Sequence, residues 1–286
     1  GVDAADEVQQ ATLSANNVDL FAGIGGIYLG ENDTRNSGNA IGMYANDVNV
    51  AIGLFKGKTA NYFALKSNIA SMGVTGFGDV LTANVSNVEL MINQSPNPTS
   101  WIDFEQSFSS TNGLVINDAT GTSSTTLDFT SGIISAQIGH AEFNISEFLQ
   151  IEGSFAFSKG ETITADINIG DLSTIVSQVP GMDMIPGWDA STVPAVQLET
   201  IQIGGMDIDG FAGVAGMGLS LDDVDFGMSI MSTSQIITPL KFISAKASVG
   251  EASLVGFGDL LTLDIDDVEI NMNTSLVNGL PLPAML

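Results

Sequence analysis

The side chains in this chain that could perform chemistry are carboxylates, and they cluster at predicted turns. Two clusters stand out: Asp222, Asp223 and Asp225, and then Asp264, Asp266, Asp267 and Glu269. Closely spaced carboxylate oxygens are the ligands that Ca²⁺ prefers. A bound cation would also offset part of the net charge of −26. These seven residues are therefore candidate ligands for calcium, the one cofactor that the sequence suggests, and Asp207 and Asp209 form a further candidate pair.

Composition excludes most other kinds of catalytic or metal site. The chain of 286 residues has 33 Asp and Glu against 7 Lys and Arg, one histidine and no cysteine. It therefore lacks a thiol nucleophile and a thiolate or histidine cluster, and His140 is interpreted as an ordinary strand or turn residue. A polyanion does not neutralise phosphates, so we expect neither nucleic acid nor an anionic membrane as a partner. The sequence predicts a protein that is not an enzyme.

The chain contains an internal repeat. Residues 76–95 (GFGDVLTANVSNVELMINQS) and residues 256–275 (GFGDLLTLDIDDVEINMNTS) are identical at 10 of 20 positions. Further upstream, FAGIGG at residues 21–26 matches FAGVAG at residues 211–216 at a longer offset. The change of offset predicts an insertion in the first copy, at about residues 30–39, where the sequence is polar and rich in turn-forming residues.

The repeat sets the predicted domain organisation. Residues 15–95 and 205–275 are interpreted as two copies of one module, and residues 96–204 occur once. We therefore expect residues 1–95 to be the C-terminal part of one repeat unit and residues 96–286 to be a second, fuller unit. At the places where the second copy has candidate calcium ligands, the first copy has mostly neutral residues, so solvated turn residues without a metal remain the alternative; the residues of the first copy are Asn46, Asp47, Asn49, Ser86 and Asn87.

Polar doublets recur within each copy and predict β-bulges. They occur in NNVDL, NDVNV, SNVEL, DDVDF and DDVEI. Apolar residues alternate with polar ones on both sides of a doublet, but the alternation changes parity across it, as from Ile265 to Val268. A change of parity would turn the apolar side chains to the other face of the sheet unless an extra residue compensates. Asn and Asp suit such a position because they tolerate left-handed backbone angles.

The rest of the chain predicts more strands and little helix. Alternating segments separated by Gly, Ser, Thr and Asn read as strands at residues 101–108, 125–131, 133–139, 149–157 and 161–169. Residues 172–179 read as a two-turn helix before a loop at 180–194, and residues 3–11 as a helical turn or a frayed end. The predicted fold class is all-β: an elongated antiparallel β-sandwich or stacked-sheet repeat with at most one or two short helices.

The repeated sequence motifs resemble those of a known class of proteins. The succession LQIEGSFAF, ETIQIGG, FAGVAG, GLSLDDVDFGMSIM and GFGDLLTLDIDDVEINMN is similar to the repeat units of very large secreted, adhesin-like bacterial surface proteins. The resemblance implies an extracellular or cell-surface location and a scaffolding, spacing or adhesive role. It carries over no functional residue. The leading hypothesis is a non-enzymatic structural repeat that stacks with neighbouring units or other copies of itself, in a surface array or filament.

Other functions stay open at this point. The protein could be an adhesin that binds a cell-surface glycan or protein through residues 30–39 or 180–194. It could also be an outer-membrane β-barrel, although 3 Tyr and 2 Trp are few for two aromatic girdles, or a β protein that holds a lipid. Because charged residues are only 14% of the chain and hydrophobic ones 44%, either the core is large or a partner covers apolar surface.

Overall fold

The computed structural model describes residues 8–25, 40–58, 60–96, 100–168, 192–233, 240–277 and 280–281. The predicted insertion at 30–39 and the predicted helix at 172–179 lie outside these residues. So does most of the loop predicted at 180–194.

Eleven strands form one antiparallel sheet, and two more form a small second sheet. The large sheet contains β1 (Gln9–Ile24), β2 (Ile41–Lys56), β3 (Asn61–Thr75), β4 (Leu81–Gln94), β7 (Ile133–Ile145), β8 (Leu149–Asn168), β9 (Thr192–Val214), β10 (Met217–Thr233), β11 (Leu240–Val255), β12 (Asp264–Val277) and β13 (Leu280–Pro281). They lie side by side in that order. The small sheet pairs β5 (Leu114–Asn117) with β6 (Ser124–Leu127). The predicted all-β, antiparallel fold class is confirmed.

The sequence repeat corresponds to two equivalent groups of four strands, β1–β4 and β9–β12. In each group a short 3-10 turn precedes the last strand, at Gly78–Val80 and at Gly258–Leu260. The connection between the first two strands is longer in the first group than in the second. Sixteen residues lie between Ile24 and its partner Ile41. Only two residues lie between Val214 and its partner Met217. The extra length of the first copy therefore falls in the connection from β1 to β2.

Several predicted elements differ in the structure. Residues 101–108 do not form a strand: Phe104–Ser107 is a single helical turn, α1, whose N-cap Asp103 accepts a hydrogen bond from the Gln106 N–H at 2.9 Å. A capping carboxylate that satisfies an N-terminal N–H favours helix locally, whatever the alternation of the flanking residues. The two strands predicted at 149–157 and 161–169 are one strand, β8, with a bulge near Lys159. Residues 9–11 belong to β1 and not to a helix.

The predicted bulges at the polar doublets are confirmed. The second residue of every doublet has a left-handed backbone, with φ of 55° at Asn17, 55° at Asp47, 53° at Asn87, 56° at Asp223 and 54° at Asp267. Asp207 of β9 has the same conformation, with φ of 50°. These residues lie at one level across the sheet, because the strand registers skip or shift there. The sheet therefore contains a continuous row of bulges.

The row of bulges keeps apolar side chains on one side of the sheet. Gly205 and Ile208 lie on opposite sides of the bulge in β9 and differ in parity. A Cβ added at Gly205 would nevertheless lie 2.5 Å from Ile208 Cδ1 and 2.6 Å from a ring carbon of Phe226. The side chains of Ile208 and Phe226 therefore lie on the same face, as the compensated change of parity requires.

The two faces of the large sheet differ in chemistry. Directly opposed residues of neighbouring strands share a face. One row of such residues, which runs across the sheet just beside the bulges, is wholly apolar; it consists of Val48, Ile69, Val88, Ile138, Phe155, Gly205, Phe226, Ala247 and Ile270. We call this side the apolar face. The adjacent row points to the other side, the polar face, and includes Asn49, Asn68, Glu89, Gln137 and Lys246.

A small unit formed by residues 100–132 covers one corner of the polar face and makes the core. Its Phe104 and Leu127 are fully buried. The ring centroid of Phe104 lies 5.5 Å from that of Phe55 in β2, in an edge-to-face arrangement. Polar contacts fix the unit to the sheet: Asn93 Nδ2 donates to the carbonyl oxygens of Ile102 and Ser131, both at 2.8 Å, and Lys66 pairs with Asp128 at 2.9 Å.

We predict that Phe104→Ala lowers the free energy of unfolding by about 3–5 kcal/mol, because it leaves a cavity where three aromatic rings meet. Urea unfolding followed by circular dichroism measures the change. Phe148→Ala is the control, since Phe148 is 56% exposed. Equal effects of the two substitutions would contradict this description of the core.

We predict that Asn87→Val destabilises the fold by about 1–2 kcal/mol, because a β-branched residue tolerates a left-handed backbone poorly. Asn87→Gly should leave the stability nearly unchanged, because glycine adopts positive φ without a Cβ clash. Thermal unfolding of the two variants measures the difference. If Val were tolerated as well as Gly, the bulge at position 87 would be absent.

Candidate functional site

Several of the candidate carboxylates satisfy backbone groups at the bulges. Between β9 and β10 the Asp223 N–H donates to Asp209 Oδ1, and the Asp207 N–H donates to Asp225 Oδ1, both at 3.0 Å. The same reciprocal pair joins β1 and β2, where the Asn17 N–H donates to Asn49 Oδ1 at 2.9 Å and the Asp47 N–H donates to Asp19 Oδ1 at 3.0 Å. An N–H freed from the ladder needs such an acceptor, so these side chains have a structural role in both copies.

The structure regroups the predicted calcium ligands. Asp223 and Asp225 approach Asp207, and Asp264 and Asp266 approach Glu251; within each group, candidate ligand oxygens lie within 4.8 Å of one another. Asp222, Asp267 and Glu269 belong to neither group in the described part of the chain. Glu251 was missed by the sequence reasoning. Only the pairing of β11 with β12, which puts Glu251 opposite Asp266, identifies it.

Glu269 is engaged with a cation of its own chain. Its Oε1 lies 2.8 Å from Lys246 Nζ and accepts a hydrogen bond from Asn271 Nδ2 at 3.1 Å. The hydrogen bond from Lys246 is the main cause that lowers the pKa of Glu269, and the bond from Asn271 and the charge of Lys246 act in the same direction. Because the pKa is lowered on folding, the contribution of this pair to stability is present at neutral pH and is lost as the pH falls through the folded-state pKa.

A row of carboxylates crosses the polar face beside the bulges. Glu142 of β7 is opposite Glu152 of β8, and Glu152 is opposite Asp209 of β9. In β10, β11 and β12 the row continues as Asp222, Glu251 and Asp266, again directly opposed. We call these six residues the acidic row. Like charges that face each other across strands repel, so the row opposes folding at low ionic strength.

The first copy of the repeat has neutral residues where the acidic row would continue. Tyr44 of β2, Gly73 of β3 and Asn84 of β4 occupy these positions. The Tyr44 hydroxyl donates to Asn84 Oδ1 at 3.1 Å. Both copies of the repeat therefore have the β-bulges, but the first copy lacks the row of negative charges beside them.

A groove of about 680 Å³ follows the row of bulges on the polar face. Its lining combines the polar side chains of Asn49, Asn68, Glu89 and Gln137 with residues of the apolar row, among them Val88, Ile138, Phe155 and Phe226. Amide and carboxylate groups in a row can bind hydroxyl groups of a ligand. His140, by contrast, is exposed in β7 opposite Ser86 and belongs to no cluster of catalytic groups in the described residues.

The apolar face is partly exposed in the described part of the chain. Beyond neighbouring strands, the elements with extensive contacts to the large sheet are β5 and β6, which lie on the polar face. Several apolar side chains on the apolar face are strongly exposed: Ile24 at 80%, Leu13 at 59%, Ile270 at 58% and Met43 at 56%. Contiguous apolar surface of this size indicates an interaction site.

Comparisons with protein families, with curated proteins and with solved structures found no match to the chain. Among the described residues, no helix has the length and hydropathy needed to cross a membrane. The function is therefore argued from the two faces and the edges of the sheet.

We predict that Glu251→Gln raises the free energy of unfolding by about 0.5 kcal/mol at low ionic strength, because Glu251 faces Asp222 and Asp266. The gain should shrink in high salt, which screens the repulsion. Glu269→Gln is the matched control and should bring no gain, because Glu269 already has Lys246 as a partner. Thermal unfolding at two salt concentrations measures both variants, and an equal gain from both would show that the acidic row has no special repulsion.

Proposed function

We propose that the protein is a non-enzymatic structural module of an extracellular bacterial surface assembly, which associates with copies of itself or with neighbouring units. The observation that supports this proposal most is that the two copies of the sequence repeat form equivalent groups of strands. β12 is the equivalent of β4, and the edge of β4 that faces away from β3 is already paired with another strand, β7. The corresponding edge of β12 offers the same kind of surface.

The free edge of β12 is accessible over most of its length. Within the described residues its outer side is paired only at Leu276 and Val277, with β13. An unpaired row of N–H and C=O groups is a template for a further strand. β13 occupies this edge of β12 locally.

The geometry of the sheet suits continuation by a second copy. β1 and β12 are the first and the tenth of the long antiparallel strands, so they run in opposite directions. A copy whose β1 lies beside β12 would be antiparallel to it, and its apolar face would continue the apolar face of the first. Such a head-to-tail contact does not close on itself and generates a filament or ribbon.

The groove on the polar face favours a second candidate function, the binding of a cell-surface glycan. Its amides could bind sugar hydroxyl groups in the manner of an adhesin. Glycan-array binding by the whole protein tests this candidate. Asn68→Ala combined with Gln137→Ala should remove the signal, whereas Gln202→Ala, on the polar face but outside this groove, should not.

We predict that the purified chain self-associates and that association strengthens with salt, because copies with a net charge of −26 repel each other until about 0.5 M salt screens them. Sedimentation velocity measures the association, and negative-stain electron microscopy identifies filaments. A chain that stays monomeric at every salt concentration would contradict the proposed function.

A pair of proline variants tests whether the edge of β12 is the contact. Successive residues of an edge strand direct their N–H groups to opposite sides, so one of Asn271→Pro and Met272→Pro spares the ladder with β11. The variant that keeps the wild-type melting temperature should lose filaments. If that variant still forms filaments, β12 is not the edge that joins the copies.

A further inference from the structure

We propose that the apolar face of the sheet is covered by the apolar face of a second copy, so that two chains form a face-to-face, two-layer β-sandwich. The inference rests on the proposed function, that copies associate, and names a contact that edge pairing does not provide. Edge pairing extends the sheet but does not cover its apolar face. The apolar face therefore needs an occupant of its own.

The chemistry of the face fits a second copy of the same surface. Three rows across the sheet are almost entirely apolar, and the middle one contains Val50, Leu90, Phe157, Ile203, Met228 and Met272. By register, the charged residues of the described strands on this face lie toward one end of the strands: Lys159 is in the outer of the three rows, opposite Ile134 and Ile201, and Lys56, Asp166, Glu199 and Lys241 lie beyond it. A self-complementary contact needs a surface that buries no unpaired charge against itself, and the other two rows meet that condition.

The area of the face is sufficient for a stable dimer. Ten strands about 4.8 Å apart and about 15 residues long, at about 3.3 Å per residue, span roughly 2,000 Å² in projection. A stable interface needs about 800 Å² from each partner. Less than half of the apolar face would therefore suffice, which leaves room for the twist that two packed sheets show relative to each other.

The distribution of charge favours this face over the other. The acidic row, the carboxylates at the bulges and the Lys246–Glu269 pair all lie on the polar face. Contact through the polar faces would oppose one acidic row to another. Contact through the apolar faces puts both acidic rows on the outside, at the largest separation that two stacked sheets allow, where solvent and salt screen them.

Matched lysine variants test the contact. Met43→Lys, Phe143→Lys and Leu219→Lys, combined, add three charges to exposed positions of the apolar face. Asn68→Lys, Gln150→Lys and Gln202→Lys add the same charge to exposed positions of the polar face. In sedimentation velocity we expect the apolar-face variant to lose at least tenfold in dimer affinity and the polar-face variant to dimerise like the wild type. Unchanged dimerisation of the apolar-face variant would overturn the inference.

Single cysteines provide a test that does not depend on a charged variant folding. The chain has no cysteine, and the neighbours Leu219 and Ser220 of β10 lie on opposite faces, opposite Leu254 and Ser253 respectively. We expect the thiol of Leu219→Cys to become protected from a water-soluble alkylating reagent as the protein concentration rises, while the thiol of Ser220→Cys stays reactive.

The outcomes separate this inference from the proposed function. If the protein associates but the thiol at position 219 stays reactive, copies meet at their edges only; the inference fails and the proposed function stands. If the thiol at position 219 is protected even in the monomer, another part of the chain covers the face, and the inference fails. If detergent or lipid vesicles protect it while copies of the protein do not, the occupant is lipid, and the inference also fails. If no association occurs at any concentration or salt, both fail.

Discussion

Side chains alternate between the two faces of a strand, and this alternation is the constraint on which the rest of the structure depends. Apolar residues change parity part-way along every long strand except β8, for example from Leu221 to Val224 in β10. Without an extra residue at that point, half of each strand would present its apolar side chains to the wrong face. The row of bulges supplies the extra residue at one level across the sheet. β8 has no bulge at this level, because both of its neighbours carry a bulge opposite it, near Gly153.

Segregation of charge follows from that row. Once the apolar residues occupy one face along whole strands, the intervening Asp, Glu, Asn and Ser residues occupy the other. Carboxylates gather beside the bulges, where Asp209 and Asp225 also accept the N–H groups that leave the ladder. The protein therefore combines a repulsive polar face with an apolar face that is exposed in a single chain. The proposed association through the apolar face would lower the free-energy cost of both features, because it would hide apolar area and keep the acidic rows apart.

The sequence predicted the features that depend on alternation within one strand. It did not predict the contacts that depend on how strands pair. Polar doublets located the bulges because Asn and Asp tolerate positive φ and because the parity change is visible in one strand. The helical turn at Phe104–Ser107 was missed because a capping contact by Asp103 outweighs the alternation of four residues. Glu251 was missed because its closeness to Asp266 comes from the register of β11 with β12, which no single strand reveals.

The central claim is that the bulge keeps apolar residues of both parities on one face. A cysteine scan through positions 219–226 of β10 tests this claim most directly. A spin label is attached at each position, and its collision rate with a negatively charged relaxation agent is compared with that of an uncharged agent. The acidic row repels the negative agent from the polar face. At protein concentrations low enough to keep the chain monomeric, we expect positions 219, 221, 224 and 226 to share the high accessibility to the negative agent, with the alternation broken between 221 and 224. Unbroken alternation, with 221 and 224 in opposite classes, would contradict the account.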